Sequence, residues 1–197
     1  MEASLDVVTD VGLAGTTVRA ISNTAGLNTR YFYQCFRELD ELFVVLFDWI
    51  VERCVVSGGA SIASAAPDLE SQISAAVVGV VNALTTDPRK AWFIAYASSG
   101  NRHLVKRHAQ LTRNLAVLLR AAQAERRLKA DPHFLAVQAE ALAAGLTGTV
   151  LAWLDGRLPL QPDELAQHSA RYVNDSLFRS GRSNPYSTRI HNSREID

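Results

Sequence analysis

The sequence predicts an all-α protein of about nine helices, with a helix-turn-helix three-helix head at the N-terminus followed by a helical bundle. Apolar residues recur at three-and-four spacing along almost the whole chain, and no stretch alternates apolar and polar residues as a half-buried strand does. Capping residues, glycines and prolines separate the periodic stretches. With 197 residues, 48% of them hydrophobic, the chain can bury a sizeable core in one or two small domains.

The first helix is predicted from Glu2 to Val11. Leu5 and Val8 lie three residues apart and so share one face of it. Gly12 is expected to end the helix, since glycine readily leaves the helical conformation.

The second helix begins at Thr16 or Thr17, whose hydroxyl can accept a hydrogen bond from a free N–H of the first turn. Its inward face is predicted to carry Val18, Ile21 and Ala25. Gly26 then ends the helix, because glycine reaches the left-handed conformation that a helix C-terminus often needs.

The third helix follows at once, with Asn28 as its N-cap and with Phe32 and Phe36 four residues apart on the inner face. Two short helices joined by a glycine turn are typical of a helix-turn-helix, whose second helix enters the DNA major groove. By position, Thr29, Arg30 and Tyr31 face the groove.

The segment TTVRAISNTAGLNTRYFYQCFRELDELF resembles the DNA-binding segment of the TetR family of transcriptional regulators, whose members typically read TTVRDIA, then AGVS, YYHF and SKEELL. The likeness covers about the first 50 residues. It implies a ligand-responsive regulator, most simply a repressor, that binds a near-palindromic operator as a homodimer.

The resemblance also implies individual DNA contacts. Tyr33 matches the family's tyrosine, which donates to phosphate, and Thr17, Arg19 and Asn28 match positions that commonly contact the backbone. Gln34 and Arg37 are further candidates. The residues predicted to bind DNA are therefore Thr17, Arg19, Asn28, Thr29, Arg30, Tyr31, Tyr33, Gln34 and Arg37.

The charge of the head argues against strong non-specific DNA binding, since up to Arg53 four arginines face eight acids. Arg19, Arg30 and Arg37 nevertheless cluster around the turn and the third helix, while Leu39 stands where the family usually has Lys. A second hypothesis therefore stays open: a helical homodimer that has lost DNA binding and acts through protein contacts.

A longer helix starts at Glu38, with a predicted buried stripe of Leu42, Val45, Leu46, Trp49 and Ile50. The stretch from Gly58 to Pro67 is predicted to be a loop. Five more helices follow, at 68–85, from Asp87 and Pro88 through Tyr96, at 101–128, from Asp131 to Asp155 and from Pro162 to Phe178. We expect a DNA-binding domain at 1–45, an effector-binding and dimerisation domain at 46–179, and a polar tail at 180–197.

Residues 134–154 are apolar nearly all round, which is typical of a membrane span or of a helix buried by protein on both sides. Glu140 within this stretch favours burial by protein and no membrane. The resemblance implies a two-fold interface made of this helix and the last one. The interface candidates are Ala141, Gly145, Gly148, Ala152, Tyr172 and Val173.

In the TetR family the C-terminal helices hold a small-molecule effector. A mostly aromatic set here would suit an apolar or aromatic effector, although aromatic residues at helical spacing also form ordinary cores. The candidates are Phe47, Trp92, Phe93, Tyr96, His103, Leu118 and Trp153.

Neither a cofactor, a metal site nor an enzyme is predicted. Cys35 and Cys54 have no CxxC spacing, and the chain lacks HExxH, ExxH and GxSxG. Reduced cysteines and the lack of a secretory leader lead us to expect a cytoplasmic protein.

Overall fold

The computed structural model describes residues 1–97, 101–125 and 131–178, which form nine α-helices and no strand, so the predicted all-α class is confirmed. The predicted polar tail and the end of the seventh predicted helix lie outside these residues. The helices are α1 (Glu2–Gly15), α2 (Val18–Thr24), α3 (Thr29–Cys35), α4 (Leu39–Ala63), α5 (Leu69–Thr85), α6 (Pro88–Ala97), α7 (Arg102–Glu125), α8 (Pro132–Leu154) and α9 (Pro162–Phe178).

The head consists of α1, α2 and α3, closed by the start of α4. Gly12 interrupts α1 with φ 72° and ψ 171°, as its position predicted. The core of the head is formed by Val7, Ile21, Phe32 and Leu42, one residue from each of the four helices. Ala25, predicted to share the inner face of α2, is exposed, because α2 ends before it.

The loop predicted from Gly58 is wrong, since α4 continues to Ala63 as one helix. Gly58 of α4 and Gly79 of α5 lie where the two helices cross at close range. A Cβ on Gly58 would lie 3.3 Å from the Ala76 carbonyl oxygen, and a Cβ on Gly79 of α5 only 2.6 Å from the Ser57 carbonyl oxygen. Close packing between two backbones thus outweighs the low helix propensity of glycine here.

The largest core joins α4 to α1, α6 and α7. Phe93 of α6 is fully buried beside Phe43 of α4, with 6.5 Å between ring centroids. The other fully buried members are Leu5, Val8, Leu46, Ile50 and Leu104. Val45, predicted to be buried in the same stripe, is 38% exposed because it lies on the outer side of α4.

A second core joins α5, α8 and α9 through Ala139, Leu142, Val173 and Leu177. The helix starts of this region are fixed by capping aspartates. Asp68 accepts from the Ser71 N–H at 2.8 Å, and Asp131, where the eighth helix was predicted to begin, caps α8 by accepting from the His133 N–H at 2.9 Å.

Candidate nucleic-acid interface

The turn between α2 and α3 is fixed by hydrogen bonds. The Thr17 hydroxyl accepts from the Ala20 N–H at 3.1 Å and so begins α2 as predicted. Gly26 has φ 66°, and it and Leu27 donate to the carbonyls of Asn23 and Ser22 at 3.0 and 2.8 Å. This pair of hydrogen bonds is the Schellman arrangement, which satisfies the last carbonyls of a helix and turns the chain sharply.

The position of α3 is set by its N-cap and by one buried ring. The Asn28 side chain accepts from the Arg30 N–H at 2.9 Å. Phe32 is the only buried residue of α3 and lies 5.4 Å from the rings of both Tyr33 and Phe36. Because Phe32 alone is anchored, the remaining side chains of α3 are free to contact a partner.

Every residue predicted to bind DNA lies on the exposed surface of the head. Tyr31 and Tyr33 are 56% and 62% exposed, so both side chains can reach a partner molecule. We call this surface the polar face; it consists of Thr17, Arg19, Asn28, Thr29, Arg30, Tyr31, Tyr33, Gln34 and Arg37.

The three arginines of the polar face form no ion pair with any described residue. The Arg37 backbone N–H donates to the Glu41 carboxylate at 2.7 Å, which fixes the start of α4. Arg19 and Arg30 carry their charge on the surface of the helix-turn-helix itself. Free guanidinium groups beside exposed hydroxyls are the donors that a phosphate backbone needs.

Four of the eight acids up to Arg53 instead have partners in α6, in α7 or in the residue just before α7. Glu2 and Asp6 contact Arg89. Asp40 accepts from Asn101 at 2.8 Å, and Asp48 pairs with an arginine of α7 at 3.1 Å. The negative sum found from the sequence is therefore partly neutralised away from the polar face.

The predicted effector residues are not gathered around one cavity. Phe47 and Phe93 are buried in the main core, whereas Leu118 is 66% exposed on α7. Trp92 and Tyr96 stack on each other along α6, with 4.9 Å between centroids.

The other two members of that set also lie apart. His103 is 4.0 Å from Asp40, near the head, and the Trp153 indole donates to the Leu160 carbonyl at 3.0 Å between α8 and α9. No single ligand could contact all seven residues in this conformation.

Two surface cavities have linings that the sequence did not indicate. One, of about 910 Å³, lies between the end of α4 and the start of α5, and the other, of about 430 Å³, between α5 and α9. Their linings are mostly serine, alanine and charged residues, which carry no pattern in the sequence. Neither lining contains a predicted effector residue.

The predicted interface residues divide into two groups. Ala141, Gly148 and Tyr172 are exposed, and Tyr172 lies over Gly145, whose Cβ position is 3.5 Å from the tyrosine hydroxyl. Ala152, like Val173 of the second core, is buried within the subunit.

The exposed apolar side of α8 also includes residues that the sequence reasoning missed. Phe134 and Val137 are 53% and 66% exposed and lie on the same side as Ala141, Ala144 and Gly148. Their spacing of three, four, three and four residues was the available signal. By length and composition alone the helix His133–Leu154 could also cross a membrane.

The cysteines occupy contrasting places. Cys35 is exposed at the end of α3, whereas Cys54 lies in the main core, where burial raises the pKa of its thiol to about 11. Within the described ranges, no three His, Cys, Asp or Glu side chains come together as metal ligands.

Comparison with known proteins supports the fold alone. No protein-family profile and no curated protein sequence matches the chain. Among solved structures, the fatty acid degradation regulator FadR from Bacillus halodurans is similar with a TM-score of 0.75 and 16% identity, over 88% of this chain and 95% of that one.

Two further structures have the same architecture. FadR from Bacillus subtilis, solved in complex with stearoyl-CoA, gives a TM-score of 0.72 at 15% identity, over 89% of this chain and 96% of that one. The TetR-family regulator PfmR from Thermus thermophilus gives a TM-score of 0.62 at 16% identity, over 87% of this chain and 94% of that one. The chain therefore has the fold of TetR-family regulators, which its N-terminal motif predicted.

Proposed function

We propose that this chain is a sequence-specific DNA-binding transcriptional regulator, a repressor, whose affinity for its operator is controlled by a small apolar or aromatic effector. The observation that carries the proposal is the polar face: a capped turn and one buried phenylalanine hold α3 so that its other side chains are exposed. Residues 1–45 would bind DNA, and residues 46–179 would bind the effector and dimerise.

In this proposal α3 enters the major groove of the operator. Thr29, Arg30 and Tyr31, in its first turn, are within reach of base edges, where arginine can form two hydrogen bonds to guanine. Tyr33, Asn28 and the start of α2 would donate to phosphates and fix the register of the helix.

Two subunits would pair through the exposed apolar side of α8 together with Tyr172 of α9. A two-fold dimer places its two α3 helices in successive major grooves, about 34–36 Å apart, and so reads a near-palindrome. A cytoplasmic location follows from this function.

The effector is proposed to be apolar because Phe93 of α6 is buried in the main core, Trp92 packs against that core, and the partly exposed Tyr96 ring lies against Trp92. FadR from Bacillus subtilis holds stearoyl-CoA in the same fold. Binding here would require the core to open, since the main core is packed in the present conformation.

The test is selection of bound duplexes from a random-sequence library, followed by salt titration of the selected site against random DNA. We expect a near-palindromic sequence and a logarithmic affinity that falls linearly with the logarithm of salt concentration. If no sequence is enriched, the proposal fails, and the helical dimer that acts through protein contacts takes its place.

Single substitutions in α3 separate the two kinds of DNA contact. Tyr33→Phe, which removes one hydroxyl donor, should weaken binding to all sequences by about three- to tenfold. Thr29→Ala should instead change the preferred base at one position of each half-site. Equal losses on every sequence from both variants would show that Thr29 reads no base.

A further inference from the structure

Arg89, in the first turn of α6, binds carboxylates from two parts of the molecule. Its Nε and Nη2 donate to the two oxygens of Asp87 at 2.9 and 2.8 Å. The same guanidinium donates to Asp6 through Nη1 and, at 2.7 Å, to Glu2 through Nη2. One side chain of α6 thus holds the first two turns of α1.

The next residue of α6 contacts α4. The Lys90 ammonium lies 5.3 Å from the centroid of the Trp49 ring and 3.6 Å from the Asp87 carboxylate. Arg53 of α4 lies 5.5 Å from the same indole centroid. The first turn of α6 is therefore joined to both helices that hold the helix-turn-helix.

A second set of polar contacts joins α7 to α4. Asn101, the residue before α7, donates to Asp40 in the first turn of α4 at 2.8 Å, and Arg107 pairs with Asp48 at 3.1 Å. We call these contacts the seam; it consists of Glu2, Asp6, Asp40 and Asp48 on α1 and α4, and Arg89, Asn101 and Arg107 on the α6 and α7 side.

We propose that the seam positions the DNA-binding head, and that Arg89 is its principal positioning residue. The seam fixes α1 against α6, and its two arginines offset part of the negative charge of carboxylates that would otherwise repel phosphates. The DNA-binding part of this inference rests on the proposed function, whereas the positioning of α1 does not.

The chemistry of Arg89 suits this role. A guanidinium presents its donors in a rigid plane and can hold several carboxylates in a fixed geometry, which a lysine ammonium cannot do. Hydrogen bonds from Arg89 hold the pKa of Asp87 below its ordinary value, which is the direction expected for a carboxylate bound by a guanidinium. Since Glu2 and Asp6 are half exposed, we expect a modest effect from each pair.

The seam also connects the head to the region proposed to sense effector. Arg89 lies in the same helix as Trp92 and Tyr96, and Phe93 of that helix packs in the core with Leu5 of α1. A ligand that moved α6 would therefore pull on α1 through both an apolar and an ionic contact.

The first experiment measures amide hydrogen exchange on the full chain without DNA. In Arg89→Gln we expect α1 and α2 to exchange about three- to tenfold faster, while α8 and α9 keep the rates of the unmodified chain. The matched control is Arg157→Gln, which removes a guanidinium paired with Asp155 at 3.2 Å outside the seam. Unchanged rates in α1, or an equal rise in all helices, would overturn the proposal.

Two further variants test whether geometry or charge matters. Arg89→Lys keeps the charge but loses the planar donors, so its α1 exchange rates should fall between those of Arg89→Gln and the unmodified chain. Adding Asp6→Asn to Arg89→Gln should raise the exchange rates of α1 little further, because the two residues act through one contact. Additive effects of Asp6→Asn and Arg89→Gln would contradict a shared contact.

The second experiment uses a duplex selected by the unmodified chain. Arg89→Gln should raise the Kd about three- to tenfold and leave the salt slope unchanged, because Arg89 touches no phosphate. A slope lowered by about 0.9 would mean a direct phosphate contact and would overturn the positioning role, as would an unchanged Kd. If the unmodified chain selects no DNA, the proposed function fails while hydrogen exchange still tests the seam.

Discussion

At the scale of single residues, α3 separates anchoring from recognition. Phe32 is buried and packs on Phe36, while Tyr31 and Tyr33 on either side of it are more than half exposed. A seven-residue helix is too short to be stable in isolation. Its position therefore depends on the Asn28 cap and on the single buried ring.

The two cysteines provide a chemical test of this arrangement. The thiolate is the reactive species, so the exposed Cys35 should be alkylated by iodoacetamide far faster than Cys54, whose pKa of about 11 keeps it protonated. Binding of a selected duplex should slow the alkylation of Cys35, which lies at the end of α3. Mass spectrometry of the labelled peptides measures both rates.

Cys54 is the internal reference in that experiment, and Cys35→Ser is the control that should remove the fast reaction. Two rapidly alkylated thiols in the folded chain would contradict the burial of Cys54. An alkylation rate of Cys35 that bound DNA leaves unchanged would place the duplex away from the end of α3.

Individual residues also mark the limit of reasoning from the sequence. The polar face was predictable because capping and three-four spacing determine which side of a short helix is buried. The placement of the predicted effector residues was not predictable in this way. Phe47 is buried and Leu118 is exposed because of the helices that pack beside them, and the sequence does not show which helices these are. That set remains a prediction.

At the scale of whole helices, glycine has two opposite roles in this chain. Gly12, Gly26 and Gly156 have positive φ and end or break helices, which was predicted from the sequence for Gly12 and Gly26. Gly58 and Gly79 lie inside helices, where they let α4 and α5 approach closely. The sequence could not distinguish the two roles, because the second depends on a neighbouring helix.

Two alanine substitutions test the close crossing of α4 and α5. A Cβ on Gly79 would lie 2.6 Å from the Ser57 carbonyl oxygen and 2.9 Å from the Gly58 Cα, and neither backbone atom can move alone. Gly79→Ala should therefore lower the free energy of unfolding by about 1–3 kcal/mol. Urea denaturation measures the change.

The matched control is Gly59→Ala, in α4, where an added Cβ would meet nothing within 4 Å. Because alanine has the higher helix propensity, replacing this exposed helical glycine should raise the free energy of unfolding by about 0.5–1 kcal/mol. If Gly79→Ala also stabilised the protein, α4 and α5 could separate without cost at this position. That result would contradict the close packing of the two helices at Gly58 and Gly79.

At the scale of the whole molecule, the seam joins parts of the chain that are far apart in sequence. Arg89 donates hydrogen bonds to Asp6 and Glu2, which precede it in the sequence by 83 and 87 positions. The sequence showed an acidic head and could not show where the counter-charges lie, since long-range pairing follows from tertiary packing. The all-α architecture was predictable because local periodicity and caps determine it.

The exposed apolar side of α8 predicts a homodimer that one charge should disrupt. Val137 is 66% exposed in the subunit and lies among Phe134, Ala141 and Gly148. A glutamate at this position would be buried without a counter-charge in a two-fold interface, at a cost of about 3–5 kcal/mol. Val137→Glu should therefore be monomeric, with a mass near 21.5 kDa rather than twice that value, by light scattering at micromolar concentration.

The control for this substitution is Val56→Glu on α4, where the valine is 63% exposed and so equally tolerant of charge within the subunit. It should remain a dimer. The monomeric Val137→Glu should still bind a single half-site weakly, because the head keeps its own core and its seam, but it should lose the preference for a palindrome that two linked heads provide. A dimeric Val137→Glu, or a monomeric Val56→Glu, would place the interface on another surface.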